Sequence, residues 1–488
     1  MEKVFLDNES KVILKMVKLI HKVPNNELSH VELEKKLGIN RKTVVKYVGN
    51  LLSFDEQKVF SFEDSILKMA NSTNFQPASL LNKMMLNSLK FQIMKIIFEG
   101  NSIDCTNLCF DLGISRGAFS VHIKQLDEFL EEYNLEVKFQ GKEFLRGEEY
   151  EIRFFFHALF WGLQEEDIIT ENPMLNKVTK LLLEIDPKLD YFTLLKIRLN
   201  VYISQIRTKN GHFITSEKEF IVPDHPYVSY KYFSDKMNEI DFFNNCPTIE
   251  SKQAECRYLY FLGCCSNLLT AEKVKKINWK PDNENSSSIQ AFIDIANRTL
   301  PFKLRTIEVK FLQINLYYLH RAASVFKGRQ RTLGIQSIEK KIKENRPNDY
   351  ALIAQFINKL CLENKDIKKL IQHFPTLYYH YGTILLGIFK AHKRPIKLLI
   401  QANFSSLQLE QLAWQIERSA VVPVKIMYGE IMSTSRPDGI ISDWTPSKKY
   451  KNVPFFNVSS LYRDWNYSDL ENFFYQLADS QFKHASTK

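Results

Sequence analysis

Between Leu28 and Leu52 the apolar residues recur at three- and four-residue spacing, and the pattern is broken once, at Gly38. Val31, Leu33 and Leu37 supply a first short helix, and Ser29 with Glu32 three residues on forms a capping-box pair before it. Gly38 suits the left-handed residue that closes a helix, and Ile39 fills the turn. Asn40 caps a second helix running through Asn50, whose Val44, Val48 and Leu51 point inward. Arg41, Lys42, Lys46 and Tyr47 remain on its outer face, with no acid among them. This pattern predicts a helix-turn-helix. Lys11–Val23 is an amphipathic helix ahead of it. Leu52–Phe62 alternates around Asp55-Glu56-Gln57, which predicts a β-hairpin wing, and Ser65–Leu89 reads as helix.

The same turn occurs twice. Leu112-Gly113-Ile114-Ser115-Arg116 repeats Leu37-Gly38-Ile39-Asn40-Arg41 at an offset of 75 residues. Asp104 stands for Ser29, Leu108 for Leu33, Phe119 for Val44, Ile123 for Val48 and Leu126 for Leu51. Phe91–Gly100 supplies the preceding helix. Two alternating segments around Gln140-Gly141 predict a second wing, whose Lys138, Lys142 and Arg146 suit phosphate contact. An apolar back with a polar, basic front is what a helix lying in the major groove needs. The candidate DNA-contacting residues are therefore Asn40, Arg41, Lys42, Lys46 and Tyr47 in the first copy. In the second they are Ser115, Arg116, Ser120, Lys124, Lys138, Lys142 and Arg146.

From Glu151 to about Lys390 the pattern is helical throughout. Ile152–Leu163, with Phe154, Phe155, Phe156, Phe160 and Trp161, reads as a packing helix. Two blocks of similar outline follow, 165–283 and 284–392, divided at the polar stretch Asp282–Ser288. At Pro395 the pattern changes. Ile396–Gln401, Val421–Tyr428, Gly439–Ser442 and Pro454–Val458 read as short strands, with helices over Phe404–Ser419 and Leu470–Phe482. That order predicts an α/β domain with a mostly parallel sheet. The fold class is mainly α and multidomain. Its expected parts are winged helices over 1–62 and 63–150, helical domains over 165–283 and 284–392, and an α/β domain over 393–488.

Composition narrows the classes of function without choosing among them. Only 16 Gly and 16 Pro in 488 residues agree with a mostly helical chain. A net charge of +10 permits an acidic partner without requiring one, and residues 1–150 are nearly balanced. Seven scattered cysteines with no CxxC or zinc-type spacing predict reduced thiols and no metal site. No cofactor motif stands out. Met1–Ser10 is too charged for a signal peptide and no apolar run matches a membrane span, so a cytoplasmic location is expected.

Two tandem winged helices, two helical blocks and a terminal α/β domain resemble the Mga/AtxA family of virulence-gene regulators of Gram-positive bacteria. The resemblance is carried by domain order and by the two LGI(N/S)R turns. It implies a DNA-binding transcriptional regulator, usually an activator, acting on double-stranded promoter DNA. It implies that the helical blocks are PRDs, the regulation domains of the sugar phosphotransferase system. The phosphocarrier protein of that system would then be a partner, and oligomeric state would respond to histidine phosphorylation. In the first block the family's histidine position, counted back from Arg207 and Gly211, is Asn200. In the second, the count from Gly328 falls on Tyr317, with His320 one turn away; His380 and His373 are the candidates in a later helix. The α/β domain resembles a phosphotransferase IIB component. After its first strand, Gln401-Ala402-Asn403-Phe404-Ser405-Ser406 holds no nucleophilic Cys, which argues against an enzyme and for protein contact, including a homodimer. An RNA antiterminator built on PRDs, or a phosphotransferase-system component, are the alternatives.

Overall fold

The computed structural model describes the chain except residues 1, 24, 56–57, 71–76, 101–104, 139–143, 164–171, 188, 267–268, 278–285, 331–334, 403–404, 421, 429–435, 444–447, 459–466 and 482–488. The chain divides into two units, residues 1–268 with 318–333, and residues 269–317 with 334–488.

The first unit opens with α1 (Glu2–Phe5) and α2 (Asn8–Ile20), then β1 (Glu27–Ser29), α3 (His30–Leu37) and α4 (Arg41–Phe54). The sequence expectation for the first turn holds in detail. Ser29 Oγ accepts from the Glu32 amide at 3.3 Å while Glu32 accepts from the Ser29 amide at 2.9 Å. Gly38 sits at φ 68°, where a side chain would be strained. Asn40 accepts from the Thr43 amide at 2.9 Å. Leu33, Val44, Val48 and Leu51 are buried against Ile13, Met16 and Val17 of the same core. Val31 departs from expectation: it lies on the solvent side of α3.

The first wing is also placed differently. Leu52–Phe54 continue α4, and the hairpin forms eight residues later from β2 (Phe60–Glu63) and β3 (Ile66–Met69). The turn is Asp64-Ser65, with both residues at positive φ (49° and 65°). That pair of angles is the two-residue turn whose twist matches a β-hairpin, and Asp tolerates it well. β1 pairs with β3 antiparallel, giving the order β1-β3-β2 and burying Leu28 opposite Leu67. The expected helix from Ser65 therefore begins only at α5 (Pro77–Leu86), and the wing extends beyond residue 62.

The second copy comprises α6 (Leu89–Glu99), α7 (Cys105–Asp111), α8 (Arg116–Leu130), β4 (Glu136–Val137) and β5 (Leu145–Arg146). Gly113 stands at φ 64° and Ser115 accepts from the Ala118 amide at 3.2 Å, repeating the first turn. β4 and β5 pair antiparallel as the base of the expected second wing. Asp104 and the wing tip, Lys142 included, lie outside the described residues. Among the described residues α9 (Glu149–Phe160) is followed by α10 (Pro173–Ile185), α11 (Tyr191–Lys209), α12 (Tyr230–Glu239) and α13 (Ile249–Ser266).

The second unit takes in α14 (Ala271–Lys275) and α15 (Ser286–Thr299), and the division between units falls within α16 (Thr306–Val325). It continues through α17 (Ile335–Asn345), α18 (Pro347–Glu363), α19 (Lys365–His373) and α20 (Thr376–His392). Its α/β part has β6 (Ile396–Gln401), α21 (Ser406–Ser419), β7 (Val424–Tyr428), β8 (Gly439–Ser442), β9 (Phe455–Asn457) and α22 (Tyr467–Ser480). The four strands are parallel, in the order β7-β6-β8-β9. Ile396, Leu398 and Ile400 of the central strand pack with Ile416 and with Phe474 and Leu477, as the apolar run over Ile396–Gln401 requires. Asp479 caps α18 by accepting from the Asn348 and Asp349 amides at 3.1 and 3.0 Å. Among the described residues no helix is long and apolar enough to cross a membrane.

Candidate nucleic-acid interface

In the first head, α4 presents Arg41 and Lys42 to solvent in its opening turn, with Asn40 committed to the cap. Lys46 lies one turn further along, and here the sequence reading needs correction. An acid does face this surface: Glu9 of α2 accepts from Lys46 Nζ at 2.8 Å and also from the Asn50 amide. The pair raises the Lys46 pKa, through its hydrogen bond and then its charge. Tyr47 is half-buried, with Lys46 Nζ 5.6 Å from its ring centroid. Val45 is 46% exposed beside these cations.

In the second head, α8 exposes Arg116, Ser120 and Lys124 along one stripe, and Ser115 is the cap. Arg116 Nη2 donates to Thr106 Oγ1 of α7 at 2.8 Å, so this guanidinium is oriented across the turn. Val121, at 56% exposed, stands on the same face, as does Gln125. Neither valine was singled out from the sequence. The available signal was an apolar, β-branched residue out of phase with the buried three-and-four pattern. On a groove-facing helix such a side chain suits a thymine methyl, and Gln125 suits an adenine edge.

The wings differ in charge. The first carries Glu63 and Asp64 at its exposed tip, and its Lys68 lies 3.9 Å from Glu27 on the neighbouring strand. At the base of the second, Lys138 pairs with Glu136 of the same strand at 2.5 Å, and Arg146 is exposed. The Val137 amide donates to Asp127 of α8 at 2.8 Å, which fixes this wing to its reading helix. Gly147 at φ 148° lets the chain leave the wing under Leu135; a Cβ there would sit 2.4 Å from the leucine side chain.

The second head is anchored from behind by buried ions. Arg153 of α9 makes a bidentate pair with Glu255 of α13, at 2.6 and 2.7 Å, and donates to Glu149 at 2.8 Å. Glu149 in turn accepts from Arg207 of α11 at 2.7 and 3.0 Å. Ser204, the His212 carbonyl and the Ile214 amide complete the network. Burial by itself would raise the Glu149 pKa, but Arg153 and Arg207 outweigh it and hold the carboxyl below its usual range. The aromatic run of α9 is core, as expected: Phe156 and Phe160 pack on Phe98 of α6 at ring separations of 4.8 and 5.0 Å.

The histidines fall in different surroundings. His320 on α16 is 1% exposed, and burial pushes its pKa down to about 3. His373 closes α19 and His380 lies in the second turn of α20; both are half-buried. Asn200 and Tyr317 are buried. In the α/β part, Asn403 and Phe404 lie outside the described residues, and the loop sequence after β6 has no cysteine.

No curated protein matches the chain. Residues 73–160, which span the second helix-turn-helix, its wing and α9, match the family model for the Mga helix-turn-helix domain. This stretch is therefore a Mga-type helix-turn-helix domain, consistent with a DNA-binding transcriptional regulator of the Mga family.

Proposed function

We propose that the chain is a transcriptional activator that reads duplex promoter DNA with two winged heads, the second making most of the base contacts. The observation that carries this reading is the exposed Arg116–Ser120–Val121–Lys124 stripe on a capped helix, inside the stretch that matches the family domain. Arg116 and Gln125 would take base edges, while Lys124, Lys138, Lys142 and Arg146 would hold phosphates. In the first head, Arg41, Lys42 and Lys46 would serve the same roles. The heads are helical, whereas PRD-type antiterminators read RNA through small β modules, so duplex DNA is the favoured substrate.

The helical blocks, 165–283 and 284–392, act in this reading as PRD-like regulatory domains in a cytoplasmic protein. His380 and His373 are the better placed acceptors for phosphate from the phosphocarrier protein, since His320 is closed to a protein donor. The α/β domain, 393–488, serves self-association, and a homodimer would match the two-fold symmetry common in DNA sites. Mobility shift with duplex promoter DNA against a structured RNA tests the main claim. Retarded duplex with free RNA is expected, and failure to bind any duplex at low salt would remove the reading. Deletion of residues 395–488 is expected to reduce the number of chains per particle measured by light scattering; an unaltered oligomer would put the self-association surface elsewhere.

A further inference from the structure

A cavity of about 70 Å³ lies within the helical part of the first unit, between α10, α11, α12 and α13. Its walls are apolar, with Leu182, Val201, Met237 and Leu259 among them, and a strap carrying His225, Tyr227 and Val228 covers one side. Most polar groups at its edge are engaged. Tyr260 Oη accepts from the His225 amide at 2.7 Å and donates to the Val228 carbonyl at 2.8 Å. The Cys264 thiol is buried beside Tyr260, and burial raises its pKa. Asn200 is the exception. It is 7% exposed and lines the cavity, yet among the described residues nothing hydrogen-bonds its side-chain amide. Its donors and its acceptor are therefore available to whatever occupies the cavity.

We propose that this cavity is a binding site for a small, uncharged, mostly apolar molecule bearing one hydrogen-bonding group, an alcohol or ketone of a few carbons, read by the Asn200 amide. The space exceeds the roughly 10–15 Å³ that one water needs on the same measure and is smaller than the ~150 Å³ engineered pocket that accepts benzene, which suits a ligand of a few heavy atoms. Among the described lining residues there is no lysine or arginine and there is one carboxylate, Asp186, so a carboxylate ligand would enter without a counter-charge and beside a like one. An amide both donates and accepts, which suits a hydroxyl or a carbonyl equally.

Gly263 of α13 lines the same space, and a Cβ added there meets no atom within 4 Å. Gly263→Leu therefore fills the cavity from a helical position that welcomes a side chain. Asn200→Leu keeps the volume close to native and removes the amide. The experiment uses the full chain, with 1-butanol followed by saturation-transfer NMR, 2-butanone as competitor, butyrate as the charged control, and xenon as a probe of apolar volume alone. Saturable 1-butanol binding that 2-butanone displaces and butyrate does not is expected. Affinity should fall at least about tenfold in both variants, with xenon retained in Asn200→Leu and lost in Gly263→Leu. Absence of saturable 1-butanol binding would overturn the proposal. So would binding unchanged by Gly263→Leu, which places the site elsewhere, or unchanged by Asn200→Leu, which denies the amide its role.

Discussion

The two heads share a turn and differ at nearly every position of the proposed DNA-facing surface. At matched positions 75 residues apart, Arg41 answers to Arg116, but Val31 stands where Thr106 holds the second arginine. Lys46 corresponds to Val121, and Lys124 to Gly49. Glu9 covers part of the first basic face, while Lys124 faces solvent. The first wing ends in Glu63-Asp64, whereas the second carries Lys138 and Arg146 at its base. The same core grammar thus carries one head whose reading helix meets an acid, Glu9, and one whose Lys124 stands exposed on that helix, with its paired cation, Lys138, on the wing. The two copies share what folding needs, namely the caps, the turn glycine and the apolar positions behind the helix. The outer face is under no such requirement and diverges.

Attachment differs as sharply, and it gives the largest expected effect. The second head is held through Arg153 and Glu149 by buried ions, whereas the Lys46–Glu9 pair of the first is a surface contact. Arg153→Met leaves the buried Glu255 without its counter-charge, with only the Ile214 amide still donating to it, and should cost about 3–5 kcal/mol, read as a fall in thermal or urea unfolding midpoint. Arg153→Met with Glu255→Leu should recover most of the loss; a double variant no better than the single would mean the network is not energetically closed. Glu149 gives the pH arm. Its pKa is lowered on folding, so its contribution is complete above the ordinary glutamate range and is lost as pH falls through the depressed value. Glu149→Gln should flatten that acid limb.

Base reading comes next in size. Arg116→Ala with Lys124→Ala should weaken duplex binding roughly 10- to 100-fold without shifting the unfolding midpoint, because both side chains are exposed. The matched pair Arg41→Ala with Lys46→Ala should cost less, since Glu9 already engages one of the two cations. Equal losses in fluorescence anisotropy would erase the distinction between the heads. A Val121→Thr exchange sharpens it further, since loss of preference for a thymine-containing site would place that face in the groove.

Wing charge should act more weakly and through salt. Glu63→Lys with Asp64→Lys turns the first tip into a phosphate contact, so binding should tighten. The slope of log affinity against log salt should steepen by about 0.9 for each phosphate gained. An unchanged slope would keep the first wing off the DNA altogether.

How far the sequence carried depended on whether a feature was local. Caps, turn glycines, the second wing's base and the parallel sheet all follow from short-range rules, and Ser29, Gly38, Asn40 and Ser115 stand as those rules require. The first wing lies later than the alternation across Leu52–Phe62 predicts, because the apolar positions of Leu52–Phe54 equally fit the end of a helix. The deciding signal was the Asp64-Ser65 turn, which lacks the glycine that usually marks such a hairpin. Glu9 against Lys46, and Arg153 against Glu255, join residues far apart in sequence, so no periodicity exposes them. Among the histidines, the count from Gly328 falls on Tyr317 with His320 one turn away, and burial then sets His320 apart from the half-buried His380.

The smallest expected effect tests whether Glu9 is a structural brace or a brake on the first head. Glu9 reaches across from α2 to Lys46 and Asn50, yet the lysine remains largely exposed, so this is a pair that solvent and salt screen well. Its loss should leave the unfolding midpoint almost unmoved. On duplex DNA the two roles separate. A brace removed lets α4 settle less firmly, and affinity falls at every salt concentration alike. A brake removed frees Lys46 for a phosphate, so Glu9→Gln should bind more tightly at low salt, with a slope steeper by up to about 0.9. The Glu9→Gln, Lys46→Ala double variant decides between them. A brake predicts that the gain vanishes with the lysine, whereas a brace predicts the same loss whether or not Lys46 is present.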